Sequence, residues 1–341
     1  MDKRGISFGN KESPPTQAEL KLLADAGVNW FYNWHYEPPV AKGWAPGHSG
    51  MEFVPMMFRL RSDTAKVRAL VEASPRGSIR HLLVLNEPNH ERQAWATPQE
   101  AAKHWPKWEE LSRELNLRLV GPQLTYGNEP YSSPVQWMDT FLGEFLAQHG
   151  RNPCIDALGY HFYGSSGLAG HLRKLEKYNK PIWLTEFAHW KAKDIEEQKT
   201  WMRKNVALCE KNPNVERYSW FIGRSAKGPL IALLGANDAL TELGEFYINL
   251  PRAPVSTTAT AEGKVGGSVH GAFISAQPDG AVQHGSEASG KTVELKAPYQ
   301  LVENVVLLRE AATQASASTV EDNEATASSD EDDSVDPDPG C

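Results

Sequence analysis

Two glutamates stand at the ends of short apolar runs, where a buried strand could hold a catalytic carboxylate. Glu87 follows the run in HLLVLNEPN (81–89), and Glu186 lies in PIWLTEFAHW (181–190). Two carboxyl groups about 5–5.5 Å apart can cleave a glycosidic bond with retention, one as nucleophile and the other as acid/base. A gap of about 6.5–9.5 Å leaves room for a water molecule and gives inversion. The sequence does not give this distance.

Polar and aromatic side chains accompany these and other apolar runs. The candidate binding residues are Asn33 and Trp34 in VNWFYNWHYEP (28–38), Asn86 beside Glu87, His161 and Tyr163 in IDALGYHFYG (155–164), and Trp220 in VERYSWFIGR (215–224). His161 and Tyr163 share strand parity, so both can face the same side. Aromatic faces suit sugar rings as well as cores. Packing in the core is therefore the alternative for Trp34 and Trp220.

The runs belong to a repeating pattern of strands and helices. Eight of them occur between residues 5 and 224, most followed by a helical pattern, and capping boxes at Thr16-x-x-Glu19 and Thr97-x-x-Glu100 open two of the helices. Eight strands alternating with helices over about 250 residues predict an α/β fold, the (β/α)8 TIM barrel. A doubly wound sheet would need a G-x-G-x-x-G turn, which the segment GISFGNKES (5–13) lacks.

The barrel explains why a chain would place acids at the ends of buried strands. Active sites of such barrels lie at the carboxyl ends of the strands. Glu87 closes the fourth run and Glu186 the seventh, so in a ring of eight the two side chains converge above the barrel. His81 and Asp156 lie at the opposite ends of their strands, and we expect both to be structural.

The ordered motifs identify a family. WFYNWHYEP, EFVPMMF, LNEPN, GYHFYG and WLTEFA, in this order and spacing, resemble glycoside hydrolase family 128, within the large clan of retaining (β/α)8 glycosidases. The resemblance spans about residues 5–250, and the ordered set is specific, whereas NEP alone is a weak match. It implies a retaining hydrolase of β-1,3-glucan (laminarin type), and we expect it to be endo-acting, with cleavage inside the chain.

The resemblance also implies roles for the candidate residues. Glu87 would be the acid/base and Glu186 the nucleophile, while Asn86 would hold the 2-hydroxyl of the sugar being cleaved. His161 or Tyr163 would bond the nucleophile. Trp220 would form the floor under that sugar. Asn33 and Trp34 would line the side that binds the chain's non-reducing part.

Other interpretations remain open at this stage. Each glutamate, taken alone, could cap a helix or anchor a loop. The same barrel could be a non-catalytic β-glucan-binding protein, or a retaining hydrolase of a β-1,4-glucan or mannan. His90, His161 and His189 lack the short spacing of a zinc helix, so we expect neither a metal nor another cofactor.

Composition bounds the rest of the chain. The net charge is −8, but nine acids and no base fall in residues 321–341, so the remainder is nearly neutral. We expect a catalytic domain at 1–252, a small β-rich C-terminal segment at 253–312 and a disordered acidic tail at 313–341.

The composition also limits the classes of partner that we expect. No basic stripe predicts nucleic-acid binding, and no long apolar run predicts a membrane span. We expect a monomer whose partner is a β-1,3-glucan polysaccharide or oligosaccharide. The start MDKRGISFGN has no signal-peptide pattern, although the substrate class favours an extracellular or cell-wall location.

Overall fold

The computed structural model describes residues 3–9, 14–39, 46–47, 49–225, 228–236 and 239–252. The described part includes most of the expected catalytic domain. The β-rich segment at 253–312 and the acidic tail at 313–341 lie outside the described residues, so both stay predictions. Within the described ranges, no helix is both long and apolar enough to cross a membrane.

The strands form one curled parallel sheet that confirms the predicted barrel. They are β1 Arg4–Ser7, β2 Trp30–Tyr32, β3 Glu52–Phe53, β4 Met56–Met57, β5 His81–Val84, β6 Arg118–Leu124, β7 Ala157–Phe162, β8 Ile182–Phe187 and β9 Val215–Trp220. Their order in the sheet is β3-β2-β1-β9-β8-β7-β6-β5-β4. The first strand therefore lies beside the last, as ring closure requires.

The third strand of the barrel is split into β3 and β4 by a proline. Pro55 has no N–H to donate and interrupts regular pairing. On one side of the break, Val54 N donates to Phe31 O of β2 at 2.9 Å, and on the other, Leu83 N of β5 donates to Pro55 O at 3.0 Å. The segment 52–57 thus joins β2 to β5, and β5 and β8 correspond to the fourth and seventh predicted strands.

Helices cover the outside of the sheet. They are α1 Gln17–Asp25, α2 Thr64–Ala73, α3 Pro98–Leu115, α4 Pro134–His149, α5 Leu168–Leu175, α6 Ile195–Lys211 and α7 Glu242–Asn249, with short 3-10 turns at Glu176–Tyr178 and Pro229–Ile231. Both predicted capping boxes are present, at Thr16–Glu19 and Thr97–Glu100. Because each box satisfies two exposed N–H groups, these helices begin where the sequence predicts.

The lower half of the barrel interior holds an ion-paired cluster. Glu52 Oε2 lies 2.8 Å from Arg217 Nη2, and Glu52 Oε1 lies 2.7 Å from His81 Nδ1. The guanidinium of Arg217 stacks over the Trp183 ring at 4.5 Å. Burial alone would raise the pKa of Glu52, but His81 and Arg217 outweigh it and lower the pKa to about 2. The cluster closes the end of the barrel opposite the carboxyl ends of the strands.

We expect Glu52→Gln to lower the free energy of unfolding by about 3 kcal/mol at pH 7, because Arg217 loses its buried counter-charge. A depressed pKa stabilises the fold above the unfolded pKa of 4.5 and ceases to do so as pH falls towards 2. The penalty should therefore shrink by more than half at pH 3. Urea unfolding of both proteins at the two pH values measures it. Glu114→Gln, which breaks an exposed pair with Arg68, is the control and should change little at either pH.

Candidate active site

The Glu186 carboxylate is completely buried and surrounded by hydrogen-bond donors. Trp34 Nε1 donates to Oε1 at 2.6 Å, and the Tyr32 hydroxyl donates to the same oxygen at 3.2 Å. The Tyr163 hydroxyl donates to Oε2. Several donors around one buried carboxylate stabilise its ionised form and fix its orientation. Glu186 is therefore held in one orientation.

A bulge in β8 aims Glu186 at the mouth of the barrel. In the pairing with β7, Tyr160 lies opposite Leu184 but His161 lies opposite Glu186, so Thr185 is an extra residue. The Thr185 hydroxyl bonds Gln123 Oε1 of β6 at 2.8 Å. A bulge re-aims the side chain that follows it. Thr185 and Glu186 consequently both face inward, where regular alternation would turn Glu186 towards the helices.

Glu87 lies just beyond the end of β5. Its backbone N donates to Gln123 O of β6 at 2.8 Å, and its φ is +41°. Positive φ is uncommon for a residue with a side chain, and functional sites are where such conformations cluster. The carboxylate lines an open cleft, and its hydrogen-bonding partner among the described residues is His161. Glu87 is thus nearly buried, with fewer donors than Glu186.

His161 lies between the two carboxylates. Its Nδ1 is 2.7 Å from Glu87 Oε1 and 3.2 Å from Glu186 Oε2. One oxygen of each glutamate and a His161 nitrogen all lie within 4.8 Å of one another. Such a group could ligate a metal, but here the imidazole nitrogen bridges the carboxylates directly, so charge pairing accounts for the cluster.

Burial and mutual charge shift the titration of this cluster. Burial would lower the pKa of His161, but the charges of Glu186 and Glu87 outweigh it and raise the pKa above its ordinary value. Burial raises the pKa of Glu186; His161 opposes this, the Glu87 charge adds to it, and bonds from Tyr163 and Trp34 oppose it. Because the groups interact so closely, the pH profile belongs to the cluster rather than to one residue.

A cleft of about 840 Å³ opens above the carboxylates, a size suited to a small-molecule or oligosaccharide ligand. Phe221, Trp190 and Lys191 line it beyond Glu186. Residues 90–93, 125, 126 and 128 line it beyond Glu87. The Trp190 ring is 48% exposed and meets Phe221 at 5.9 Å between ring centroids. The cleft thus passes over both carboxylates and carries open aromatic surface.

Three of the predicted binding residues lie near the site but do not line this cleft. Trp34 is nearly buried and bonds Glu186, as described above. The Asn33 side-chain amide donates to Glu37 O at 2.8 Å and closes the turn after β2. Asn86 is fully buried beside Glu87, and its amide donates to Gln93 Oε1 at 3.2 Å. His161, Tyr163 and both glutamates do line the cleft.

The structure does not bring Trp220 to the cleft, which corrects its expected place as a floor. Trp220 lies opposite Phe187 in the pairing of β8 and β9, and both rings point away from the barrel axis. Its ring packs against Trp201 of α6, and Nε1 donates to Ile231 O at 2.8 Å. The next residue, Phe221, has the opposite parity and supplies the ring that lines the cleft.

The sequence interpretation also missed Tyr32, Trp190 and Tyr126. Tyr32 shares strand parity with Trp34, and this alternation could have indicated that both face Glu186. Trp190 and Tyr126 lie beyond the ends of β8 and β6. Residues in the loops at this end of a barrel are candidates for binding, but the sequence gives no way to choose among them.

The fourth and seventh strands of this parallel barrel bring two carboxylates together. One accepts several hydrogen bonds and the other lines a cleft, an arrangement that defines the class of barrel glycosidases. The family described as "Glycosyl hydrolase catalytic core" matches this chain over residues 6–247. The chain belongs to this glycosyl hydrolase family, and it is a glycoside hydrolase.

Solved structures give the narrower similarity. The chain is 38% identical to a glycoside hydrolase family 128 (subgroup II) endo-β-1,3-glucanase from Pseudomonas viridiflava, with a TM-score of 0.67 over 73% of this chain and 98% of that one. It is 26% identical to a subgroup I endo-β-1,3-glucanase from Amycolatopsis mediterranei in complex with laminaritriose, with a TM-score of 0.57 over 74% of this chain and 100% of that one. The predicted resemblance to family 128 is confirmed.

A curated relative is similar over the same region. Alkali-sensitive linkage protein 1 from Schizosaccharomyces pombe is 30% identical over 240 residues, which are 67% of this chain and 41% of that protein. The chain therefore spans well under half the length of this relative.

We expect Tyr163→Phe to lower kcat about 100-fold, the usual cost of removing one donor from a reacting oxygen. The Tyr163 bond lowers the pKa of Glu186, so its loss should raise that pKa and move the acidic limb of the kcat/KM profile to higher pH. Rates across pH on a soluble glucan measure both effects. Tyr178→Phe removes a hydroxyl that bonds Asp139 on the outer surface and should leave the acidic limb in place.

Proposed function

We propose that the protein is a retaining, endo-acting hydrolase of β-1,3-glucan. The observation that carries this proposal is the unequal environment of two close carboxylates. Glu186 receives bonds from Trp34, Tyr32 and Tyr163, whereas Glu87 lies at the cleft beside His161. One carboxylate oxygen of Glu87 lies within 4.8 Å of one carboxylate oxygen of Glu186, which accords with the shorter carboxylate gap of retaining enzymes.

In the first step, Glu186 attacks the anomeric carbon of the bound sugar. The hydrogen bonds from Trp34 and Tyr163 hold the carboxylate in the orientation that the attack needs, so less entropy is lost when the step begins. Glu87 donates a proton to the leaving oxygen, the C1–O bond breaks, and a glycosyl ester forms on Glu186. His161 engages Oε1 of Glu87, which leaves Oε2 to carry the donated proton.

In the second step, Glu87 acts as a base. It removes a proton from water, whose oxygen attacks the anomeric carbon from the face that the first sugar chain has left. Glu186 departs as a carboxylate, so the product keeps the β configuration. The negative charge moves from Glu87 to Glu186, and His161, whose pKa is raised, lies within 3.2 Å of both carboxylates and offsets it in either place. The cluster is then reset.

The substrate assignment is supported by the relatives. The Pseudomonas viridiflava and Amycolatopsis mediterranei proteins are both endo-β-1,3-glucanases, and the second binds laminaritriose. The aromatic rings of Trp190 and Phe221 in the cleft suit the apolar faces of glucose residues. We further propose that the chain acts on β-1,3-glucan polysaccharide or oligosaccharide as a monomer.

A panel of polysaccharides tests the proposal. One preparation is incubated with laminarin, curdlan, a β-1,4-glucan and a β-1,4-mannan, and products are separated by chromatography. The proposal predicts a mixture of laminari-oligosaccharides from the β-1,3-glucans alone. Glucose as the sole early product would overturn internal cleavage, and release only from mannan or β-1,4-glucan would move the substrate to that class. Binding of laminarin without cleavage would identify a non-catalytic glucan-binding protein.

A further inference from the structure

Gln123 of β6 is a fully buried amide in the barrel layer below the two carboxylates. In the pairing of β6 with β7 it lies opposite Gly159. Gly159 precedes His161 by two residues, so both face the same side of β7, and Gly159 lies one layer below the residue that bridges the glutamates. Gln123 Nε2 donates to Val120 O of its own strand at 2.9 Å, which leaves Oε1 to accept a bond from another strand.

The backbone of Gln123 holds the segment that ends in Glu87. Gln123 N donates to Leu85 O at 3.0 Å, and Glu87 N donates to Gln123 O at 2.8 Å. Leu85 and Glu87 have φ values of +59° and +41°. This conformation costs free energy in residues with side chains and persists where the surrounding structure holds it. The two bonds to Gln123 therefore help to fix where Glu87 lies beyond the end of β5.

The side chain of Gln123 holds the bulge that aims Glu186. The Thr185 hydroxyl donates to Gln123 Oε1 at 2.8 Å, and neither residue has any exposed surface. The Tyr32 hydroxyl contacts the same bulge, since it lies 3.1 Å from Thr185 O. Because the extra residue Thr185 is what turns Glu186 into the barrel, the amide acts on Glu186 through Thr185.

Gly159 provides the space through which the amide crosses from β6 to β8. A Cβ atom on Gly159 would lie 1.9 Å from Gln123 Oε1 and 2.2 Å from Gln123 Cδ. A side chain at this position would therefore exclude the amide from its path, and the close approach requires glycine. Since β7 separates β6 from β8 in the sheet, the amide links two strands across a third.

We propose that Gln123 is a positioning residue that sets the gap between the carboxylates of Glu87 and Glu186. The proposal rests on the proposed retaining function, in which one carboxylate reaches the anomeric carbon while the other reaches the leaving oxygen. Gln123 holds Glu87 through its backbone and the Glu186 bulge through its side chain. An amide and a hydroxyl do not titrate in the working range of the enzyme, so this link stays the same while the cluster above it gains and loses protons.

Loss of the bond between Gln123 and Thr185 should slow the attack by Glu186 without weakening sugar binding. The bulge is then free to relax, and a displacement of about 1 Å at a reacting group costs up to about 100-fold in rate. Trp190 and Phe221 line the cleft from elsewhere in the chain and keep their places. The expected signature is therefore a lower rate constant at an unchanged half-saturating concentration.

The test measures how fast the full chain is labelled by 2-deoxy-2-fluoro-β-laminaribiosyl fluoride. A Glu186 oxygen bonds to the anomeric carbon, the C1–F bond breaks, and fluoride departs with the electron pair. Fluoride is a good leaving group and the fluorine at C2 slows the second step, so the ester accumulates and intact-mass spectrometry follows it. Thr185→Val and Gln123→Met should each lower the limiting labelling rate about 10- to 100-fold, with complete labelling in the end. Thr185→Ser keeps the hydroxyl and should keep most of the rate.

Thr241→Val is the matched control. The Thr241 hydroxyl accepts from Gly244 N at 3.0 Å and donates to Ala232 O at 2.6 Å. The same substitution therefore removes hydrogen bonds away from the cleft and should leave the labelling rate unchanged. The double variant Gln123→Met/Thr185→Val should be no slower than the slower of its two single variants, because all three lose the same bond.

The outcomes separate this role from a structural one and from the hydrolase itself. An unchanged labelling rate in Thr185→Val and Gln123→Met overturns the role of Gln123. A smaller labelled fraction at an unchanged rate also overturns it, because that result identifies a contribution to folding alone. A rate in Thr185→Ser as low as in Thr185→Val shows that the hydroxyl is not the link. If the unaltered chain cleaves laminarin but takes no label, the retaining function fails and the role of Gln123 fails with it.

Discussion

Replacing Glu186 with alanine abolishes turnover of β-1,3-glucan, with an expected fall in kcat of at least about 10⁴-fold. The loss is this large because covalent catalysis has no substitute once the nucleophile is gone. Binding of laminarihexaose should survive, since Trp190 and Phe221 still line the cleft. Initial rates on laminarin and calorimetric titration with laminarihexaose measure the two effects separately.

Azide sharpens this prediction. In Glu186→Ala the missing side chain leaves space for a small anion, and azide should restore turnover of an activated β-glucoside substrate and form an α-glycosyl azide. A β-glycosyl azide would instead identify Glu186 as the acid/base of a retaining enzyme, with the nucleophile elsewhere. Glu37→Ala is the matched control, because Glu37 also follows a strand end but is exposed, and its loss should leave the rate unchanged.

Replacing Glu87 with alanine should lower kcat on laminarin by about 10²- to 10⁴-fold, the range that general acid–base catalysis contributes. The penalty on the first step should nearly disappear with an aryl β-glucoside of good leaving group, because such a group departs without protonation. Pre-steady-state release of the aryl alcohol measures this step. An equal penalty on laminarin and on the aryl substrate would show that Glu87 is not the acid.

Much of the architecture could be predicted because its determinants are local in the sequence. Apolar runs at regular intervals define strands, and side chains at Thr16 and Thr97 cap helices in place. The rule that barrel sites lie at the carboxyl ends of strands then brings Glu87 and Glu186 together. Among the described residues, the third strand is split in two, and Pro55 explains the break.

The details of the site depend on register, which the sequence does not reveal. The extra residue Thr185 in β8 changes which face Glu186 occupies, and the pairing of Trp220 with Phe187 turns Trp220 outward. Counting parity from a motif alone could not detect either effect. His161 bridges both carboxylates only because β7 lies between β6 and β8 in the sheet.

The central claim, that Glu87 and Glu186 act together on a β-1,3-glucan with retention, is tested most directly by following the anomeric signals in a proton NMR time course. The enzyme is added to a soluble laminari-oligosaccharide, and newly formed reducing ends are observed before they mutarotate. We predict that β-anomer signals appear first and α-anomer signals follow at the rate of spontaneous mutarotation. New α-anomer signals appearing first would contradict the account, because they require inversion and would make Glu186 a base rather than a nucleophile.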